Sequence, residues 1–406
     1  MGIVIKNTNY NGEVLEKMLM RATTGNQLFE RGLICLHEGV HTKKSIPRLR
    51  AGKMLQKRKP NPTLEDAKGD FNYDERFLEP KDFMVFAKFN PRDFEAIWRK
   101  WQPKGMLVFS ELPPEGQNAL LEALSGNVDF ELGGHYINGR LGDGNDDLFN
   151  GFVVRMLSDR DTVTVPSGAT TQIKRLTDLR AAIPDTMLNN PKLRILMSAV
   201  EFQEYDDELT KQTAKGVNYT DISPRRFKSI PIEDLALWPR GLTVATIVGM
   251  DETKSNLHVA VNLQDDSEVI QIERYAPASE FFFFKMLMKA DTNTAFGEEV
   301  VILDTRVAET ATRSGTVLTM KTDHAKYDYT PTESSDLSIR GAGVLLGARL
   351  ALTNKATSVD CTVEGVKVAA KATVTLAYDG KAWFNVADPY PEVAEEPEPE
   401  TGENEG

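Results

Sequence analysis

The segment from Lys43 to Pro80 constrains this chain more than any other. Its first part holds eight basic residues and no acid: Lys43, Lys44, Arg48, Arg50, Lys53, Lys57, Arg58 and Lys59. Pro60-Asn61-Pro62 follows, and then a run that leans acidic, with Asp66, Asp70, Asp74 and Glu75. Large apolar side chains are too sparse for the segment to close a core of its own. About 35 residues without a core are uncommon inside a compact domain, so the pattern predicts an arm that rests on something else. Charge alone leaves three readings of the basic run open: a solvated loop, an arm docked on an acidic patch of a neighbouring subunit, or a contact with phosphate. No aromatic residue falls between Thr42 and Asp70, which argues against stacking on bases.

The rest of the chain has ample material for cores. Of its 406 residues 41% are hydrophobic and 27% charged, which suits roughly two to three domains. The net charge is −12, but seven glutamates and no basic residue lie in Pro391–Gly406, so the body is only mildly acidic. That is not the balance of a protein that grips nucleic acid by its phosphates. No apolar run approaches the ~20 residues of a membrane span; Phe281–Phe284 stops at Lys285. Met1–Tyr10 lacks the order of a secretory signal, and synthesis in the cytosol is expected. The two cysteines, Cys35 and Cys361, are too few for a disulfide framework and are expected as buried small hydrophobes.

Periodicity sketches the elements. Ile3–Ile5 reads as extended and Leu15–Arg21 as a short helix. Phe83–Phe89 reads as a strand. Asn90 then caps a helix with Pro91 at its first position, and Phe94, Ile97, Trp98 and Trp101 share a face. A second helix starts near Pro114, turns Leu120, Leu121 and Leu124 inward, and stops at Gly126. Val128–Ile137 and Leu148–Leu157 read as strands. Ile173, Leu176 and Ile183 lie near one face. Leu193–Met197 is a buried strand, and Ser198 with Glu201 forms a capping box for the helix that buries Phe202, Tyr205 and Leu209. Phe227–Ile232, Leu242–Val248 and Val269–Ile272 read as strands. Phe282, Phe284, Met286 and Met288 alternate with Phe283, Lys285, Leu287 and Lys289, as in a strand leaving a core for an exposed edge. Asp291–Ala295 then turns the chain and Glu299–Leu303 returns it. After residue 305 alternating Val, Thr, Ala and Leu predict a separate β domain, ending in a hairpin with a two-residue turn at Asp379-Gly380.

One catalytic motif stands out. His37-Glu38-Gly39-Val40-His41 matches H-E-x-x-H, in which helical histidines hold zinc and the glutamate acts as general base. Gly32 and Gly39 weaken a helix by ~1 kcal/mol each, and Ile46-Pro47 ends it soon after. The expectation is therefore an extended segment whose imidazoles meet solvent or backbone, with no metal at His37 and His41. The other histidines, His135, His258 and His324, have no local ligand setting. No phosphate-binding glycine loop or nucleophile elbow occurs, and neither an enzyme activity nor a cofactor is expected.

The segments GVHTKKSIPRL (39–49), GDFNYDERFLEPKDFMVFAKF (69–89), FNGFVVRML (149–157), LRILMSAVEFQEYDDEL (193–209), FKSIPIEDLALWPRGLTVAT (227–246) and FFFFKMLMKADTNTAFGEEVVIL (281–303) occur in a telling order. Together they resemble the major capsid proteins of tailed bacteriophages with the HK97-type fold, particularly those of phages of Bacteroides-like hosts. The resemblance implies an α+β, HK97-like capsid fold: an N-terminal arm (1–42), an extended loop (43–80), a peripheral domain (81–170 and 278–304) and an axial domain (171–277). A C-terminal all-β domain of immunoglobulin-like size (305–388) is expected on the outer surface, followed by a disordered acidic tail (389–406). It also implies the eight basic residues as inter-subunit contacts and hexamers and pentamers of an icosahedral shell around double-stranded DNA. Scaffolding, portal and decoration proteins are the further partners, and the place is the virion capsid, assembled in the host cytoplasm without a membrane. Other occupants of the same features are an encapsulin-like shell, the zinc peptidase, and a carbohydrate- or surface-binding protein acting through the β domain.

Overall fold

The computed structural model describes residues 26–51, 54–69, 71–125, 127–166, 168–211, 225–262, 270–276 and 279–391. The Ile3–Ile5 and Leu15–Arg21 readings, Gly126 and the acidic tail beyond Pro391 lie outside them. The chain divides into two compact units, Met1–Val307 and Ala308–Gly406.

The first unit begins with α1 (Gln27–Glu30), β1 (Cys35–Glu38), β2 (Lys44–Ala51), β3 (Phe71–Leu78), β4 (Lys81–Phe89), α2 (Glu95–Trp98), α3 (Pro114–Ser125), α4 (Val128–Asn138) and α5 (Phe152–Ser158). It continues with β5 (Val163–Val165), α6 (Gln172–Ala182), α7 (Asp185–Leu188), β6 (Leu193–Ser198), α8 (Ala199–Lys211), β7 (Arg226–Phe227) and β8 (Ile230–Leu235). Last come β9 (Leu242–Ile247), β10 (Leu257–Asn262), β11 (Ile270–Arg274), β12 (Phe282–Thr294) and β13 (Val300–Asp304).

Two sheets organise this unit. In the first, β12 is central: β4 pairs along one side, and β11 and β10 follow one another along the other, with β1 outside β10. One face of β12, Phe282, Phe284, Met286, Met288 and Ala290, enters the main core with Leu120 of α3, Tyr136 of α4 and Phe152 of α5. Each fully buried side chain of this kind contributes roughly 1.5–3 kcal/mol. The second sheet runs β5-β13-β9-β6-β8-β7. Every residue of β9 is buried, because the sheet is covered on both sides. Leu242 and Val244 face the main core, whereas Ala245 and Ile247 face a second cluster with Leu176 and Leu179 of α6 and Tyr205 of α8. Gly241 opens β9 at φ +80°, with Arg306 backbone atoms 2.8 and 2.9 Å from where a Cβ would stand.

Several expectations change. Val128–Ile137 and Leu148–Leu157 are not strands: α4 and α5 occupy them. The β-branched and aromatic residues suggested strands, but Val128, Leu132 and Tyr136 recur every four residues, and Phe152, Val153, Met156 and Leu157 make a helical stripe. Phe227–Ile232 is broken by a two-residue turn at Lys228-Ser229, both at positive φ (45° and 77°), where neither residue type signals it. Asp291–Ala295 does not turn the chain. β12 continues to Thr294, paired there with β10; along Phe282–Met286 it lies between β4 and β11 rather than at an edge, and β13 joins the second sheet instead of returning along β12. β10 and β11, from the 171–277 stretch, pair into the first sheet.

The second unit contains β14 (Glu309–Thr310), β15 (Thr312–Ser314), β16 (Val317–Thr319), β17 (His324–Tyr329), β18 (Asp336–Arg340), β19 (Arg349–Asn354), β20 (Cys361–Val363), β21 (Val366–Val368), β22 (Thr373–Tyr378) and β23 (Trp383–Asn385). They form two sheets, β14-β17-β19-β22-β23 and β15-β16-β18-β20-β21. Leu318, Leu337, Leu350, Leu352 and Leu376 pack into their common core. From β16 to β20 the chain changes sheet at every strand, so β16–β18, β17–β19 and β18–β20 pair in parallel. An immunoglobulin-like sandwich is built of antiparallel sheets; here the antiparallel pairs β15–β16, β19–β22, β20–β21 and β22–β23 stand beside the parallel ones, so the immunoglobulin-like pattern is not confirmed. The final hairpin joins Tyr378 to Trp383 across four residues, not two. Asp379 Oδ1 accepts from the Lys381 and Ala382 amides at 2.8 Å and sets the wider turn. Among the described residues no helix is long and apolar enough to cross a membrane.

Candidate assembly interface

β2 and β3 form a two-stranded ribbon of their own, Lys44 opposite Leu78 through Ala51 opposite Phe71. Its eight pairs span roughly 25 Å at about 3.4 Å per residue. A lone two-stranded ribbon is marginally stable in water. Pro47 sits in β2 opposite Glu75, a position tolerated because this strand has a free edge.

The root of the ribbon is held strongly. Ile46 and Leu78 pack with Val40, Ala260 and Ala295 in a small cluster. Asp291 Oδ2 accepts from the Glu79 amide at 2.8 Å, while Oδ1 accepts from Arg155 Nη2 at 3.1 Å. Burial pushes the Asp291 carboxyl up even with Arg155 beside it. Arg76 of β3 donates to Thr294 Oγ1 at 3.0 Å and faces Asp159 and Asp161. Asn293 Nδ2 donates to Phe77 O at 2.8 Å. The run of polar residues that looked like a turn is therefore the socket of the arm. Sequence reasoning missed Arg76, Arg155 and Asp291; the available signal was the polar run Asp291–Thr294, whose Asp291, Thr292 and Thr294 prove buried, following the apolar alternation of the same strand.

Beyond the root, several described side chains of the arm are exposed. Leu55 is 94% exposed, Leu64 95%, Tyr73 62% and Met54 50%. A short 3₁₀ turn, Leu64–Asp66, shapes the tip. The predicted basic contacts fall in different places. Lys43 pairs with Glu79 at 3.3 Å and lies over the Phe77 ring. Lys44 reaches Glu252 at 3.1 Å. Arg48 and Arg50 stand on β2 opposite Asp74 and Asn72. Lys57 and Arg58 are exposed, Lys53 is outside the described residues, and Lys59 pairs with Asp66, whose carboxyl it holds below the usual range.

The H-E-x-x-H motif is not helical. His37 lies on β1, and Gly39, at φ +69°, ends that strand. His41 is exposed, 3.3 Å from Asn262 Nδ2. His37 was expected to meet solvent or backbone; instead it is buried and its Nε2 stands 2.9 Å from Nδ1 of His258. Cys35, one residue pair away on the same face, brings its Sγ to 3.9 Å of His37 Nε2. Lys44 Nζ donates to His37 Nδ1 at 2.8 Å, and His258 Nε2 donates to Ser255 O at 2.9 Å. Cys35 and Cys361 are both buried free thiols.

No protein-family model and no curated protein matches the chain. Among solved structures it is similar to the satellite phage P4 procapsid including size determination (Sid) protein, at 13% identity and a TM-score of 0.47, covering 74% of this chain and 93% of that one. It is similar to the cyanophage A-1(L) capsid asymmetric unit, at 13% identity and TM-score 0.45, covering 74% and 96%. A virus-like particle from Pyrococcus furiosus matches at 10% identity and TM-score 0.43, covering 72% and 98%. The Bacteroides part of the resemblance read from the sequence finds no support among them.

Proposed function

We propose that this chain is the major capsid protein of a tailed bacteriophage, a shell subunit of the HK97 type with no catalytic role. One observation carries the reading: a rooted two-stranded arm holds Met54, Leu55, Leu64 and Tyr73 exposed, outside the cores formed by the described residues. Ordering such an arm costs entropy that its own contacts offset only at the root. A second copy that covers the tip supplies the missing contact. An arm on every copy repeats that contact around rings, and rings that close build a shell. Hexamers and pentamers, packaged double-stranded DNA, and scaffolding and portal partners belong to the same reading, supported by the sequence segments that resemble this family. The exposed Lys57 and Arg58 suit an acidic surface on the neighbouring copy.

Electron microscopy of the full chain, expressed alone and with the scaffolding protein of its own phage, tests this. Closed shells of uniform size are expected, and deletion of residues 54–69 abolishes them while leaving a folded subunit. Particles that form equally well without the tip, or a monomer at every concentration with and without scaffold, overturn it.

A further inference from the structure

The cluster beneath the arm root is not used by the assembly reading. Cys35 and His37, two apart on β1, point to one side of the first sheet, and His258 stands opposite Cys35 in the parallel register with β10. Their Sγ, Nε2 and Nδ1 atoms all lie within 4.8 Å of one another, and all three residues are buried. The hydrogen bonds fix the protons. Ser255 O can only accept, so His258 carries its proton on Nε2 and turns a bare Nδ1 toward His37. Lys44 can only donate, so His37 is bare at Nδ1 and its Nε2 proton fills the space between the two rings.

We propose that Cys35 Sγ, His37 Nε2 and His258 Nδ1 form a site for one Zn²⁺ ion, with water in the fourth position. Around a tetrahedral zinc with bonds of about 2.0–2.3 Å, donor atoms stand roughly 3.3–3.7 Å apart. The separations here, 2.9 Å between the nitrogens, 3.9 Å from sulfur to His37 and no more than 4.8 Å from sulfur to His258, need shifts of a few tenths of an ångström at the first two and at most about one at the third. A thiolate with two imidazoles selects zinc over magnesium or calcium, which prefer oxygen. The groups behind the ligands also fit. His258 already gives its other ring proton to a backbone carbonyl, and Glu252 Oε1 lies 3.8 Å from His37 Nδ1, ready to accept one.

The proton balance is simple. Binding moves the His37 proton from Nε2 to Nδ1, facing Glu252, and releases the Cys35 thiol proton to solvent. Lys44 then leaves His37 and keeps Glu252, its ion-pair partner. Because Lys44 is the first residue of β2, the ion is felt at the arm root, and it ties β1 to β10. Glu252 and Lys44 are both part-exposed, which gives the ion a way in. Burial pushes both imidazoles below, and the thiol above, their ordinary ranges.

The test is made on the full chain in whichever assembly state it adopts, so it stands apart from the shell reading. Chelator-treated protein is dialysed against Co²⁺ as a spectroscopic probe and against Zn²⁺, and metal per chain is measured. One ion per chain is expected, with a thiolate-to-cobalt charge-transfer band and the strong visible bands of a tetrahedral site. Cys35→Ser removes the charge-transfer band, and His258→Asn abolishes retention. Glu252→Gln weakens zinc by about tenfold or more. His41→Ala leaves binding intact, which separates this site from the H-E-x-x-H reading. The absence of a charge-transfer band in the unmodified chain, or equal metal retention by folded Cys35→Ser protein, overturns the proposal.

Discussion

Replacing Leu55 and Leu64 together by serine should leave the subunit alone and disable its assembly. In the single chain these side chains are 94% and 95% exposed, so their loss changes subunit stability by no more than about 0.5 kcal/mol. Covered by a neighbour, each contributes roughly 1.5–3 kcal/mol on full burial. Losing both removes about 3–6 kcal/mol per arm, and at about 1.4 kcal/mol per factor of ten the concentration needed for assembly rises about 100-fold to 10,000-fold. Light scattering across a dilution series reads the assembly threshold, and thermal melting of the unassembled subunit reads stability. An unchanged threshold would refute the idea that the tip is covered in trans. A melting temperature that falls as far as a core variant's would mean the tip is covered by its own chain.

Two further outcomes follow from the folded body. Phe284→Ala, at the fully buried centre of β12, should cost about 3–5 kcal/mol and lower the melting temperature of the unassembled subunit without altering the tip. Glu201 is buried against Ser198 Oγ and the Gly241 amide, and burial raises its carboxyl above the ordinary range. A raised folded-state value means the folded chain holds this proton more tightly than the unfolded one. The contribution is fully present below the ordinary glutamate range and is lost as pH rises through the raised value. Glu201→Gln should therefore flatten that part of the stability–pH curve and be neutral or stabilising at pH 7; equal slopes for both proteins would contradict this.

The parts legible in the sequence were those carried by local pattern. The alternation along Phe282–Met288, the Asn90 cap and the Ser198–Glu201 pairing all reappear as contacts. What escaped was set by distant partners. Asp291 looks like a turn former until Arg155 and the Glu79 amide satisfy it. His37 looks like half of a helical motif until His258, 221 residues away, lies across from it. Val128–Ile137 has strand-forming residues, yet its four-residue recurrence decides, because a stripe at that spacing is what the main core can bury.

The strand-by-strand exchange between sheets in the second unit has a kinetic consequence. Each parallel partner is met only after a full excursion: His324 meets Arg349, 25 positions later, with a strand of the opposite layer laid down in between. Among β16 to β20 no strand pairs with the next in sequence, so this stretch must close long loops before it gains a ladder. That stretch should wind up like a coil from successive turns, more slowly than an up-and-down arrangement of equal length, while the flanking hairpins β15–β16, β20–β21 and β22–β23 can close locally.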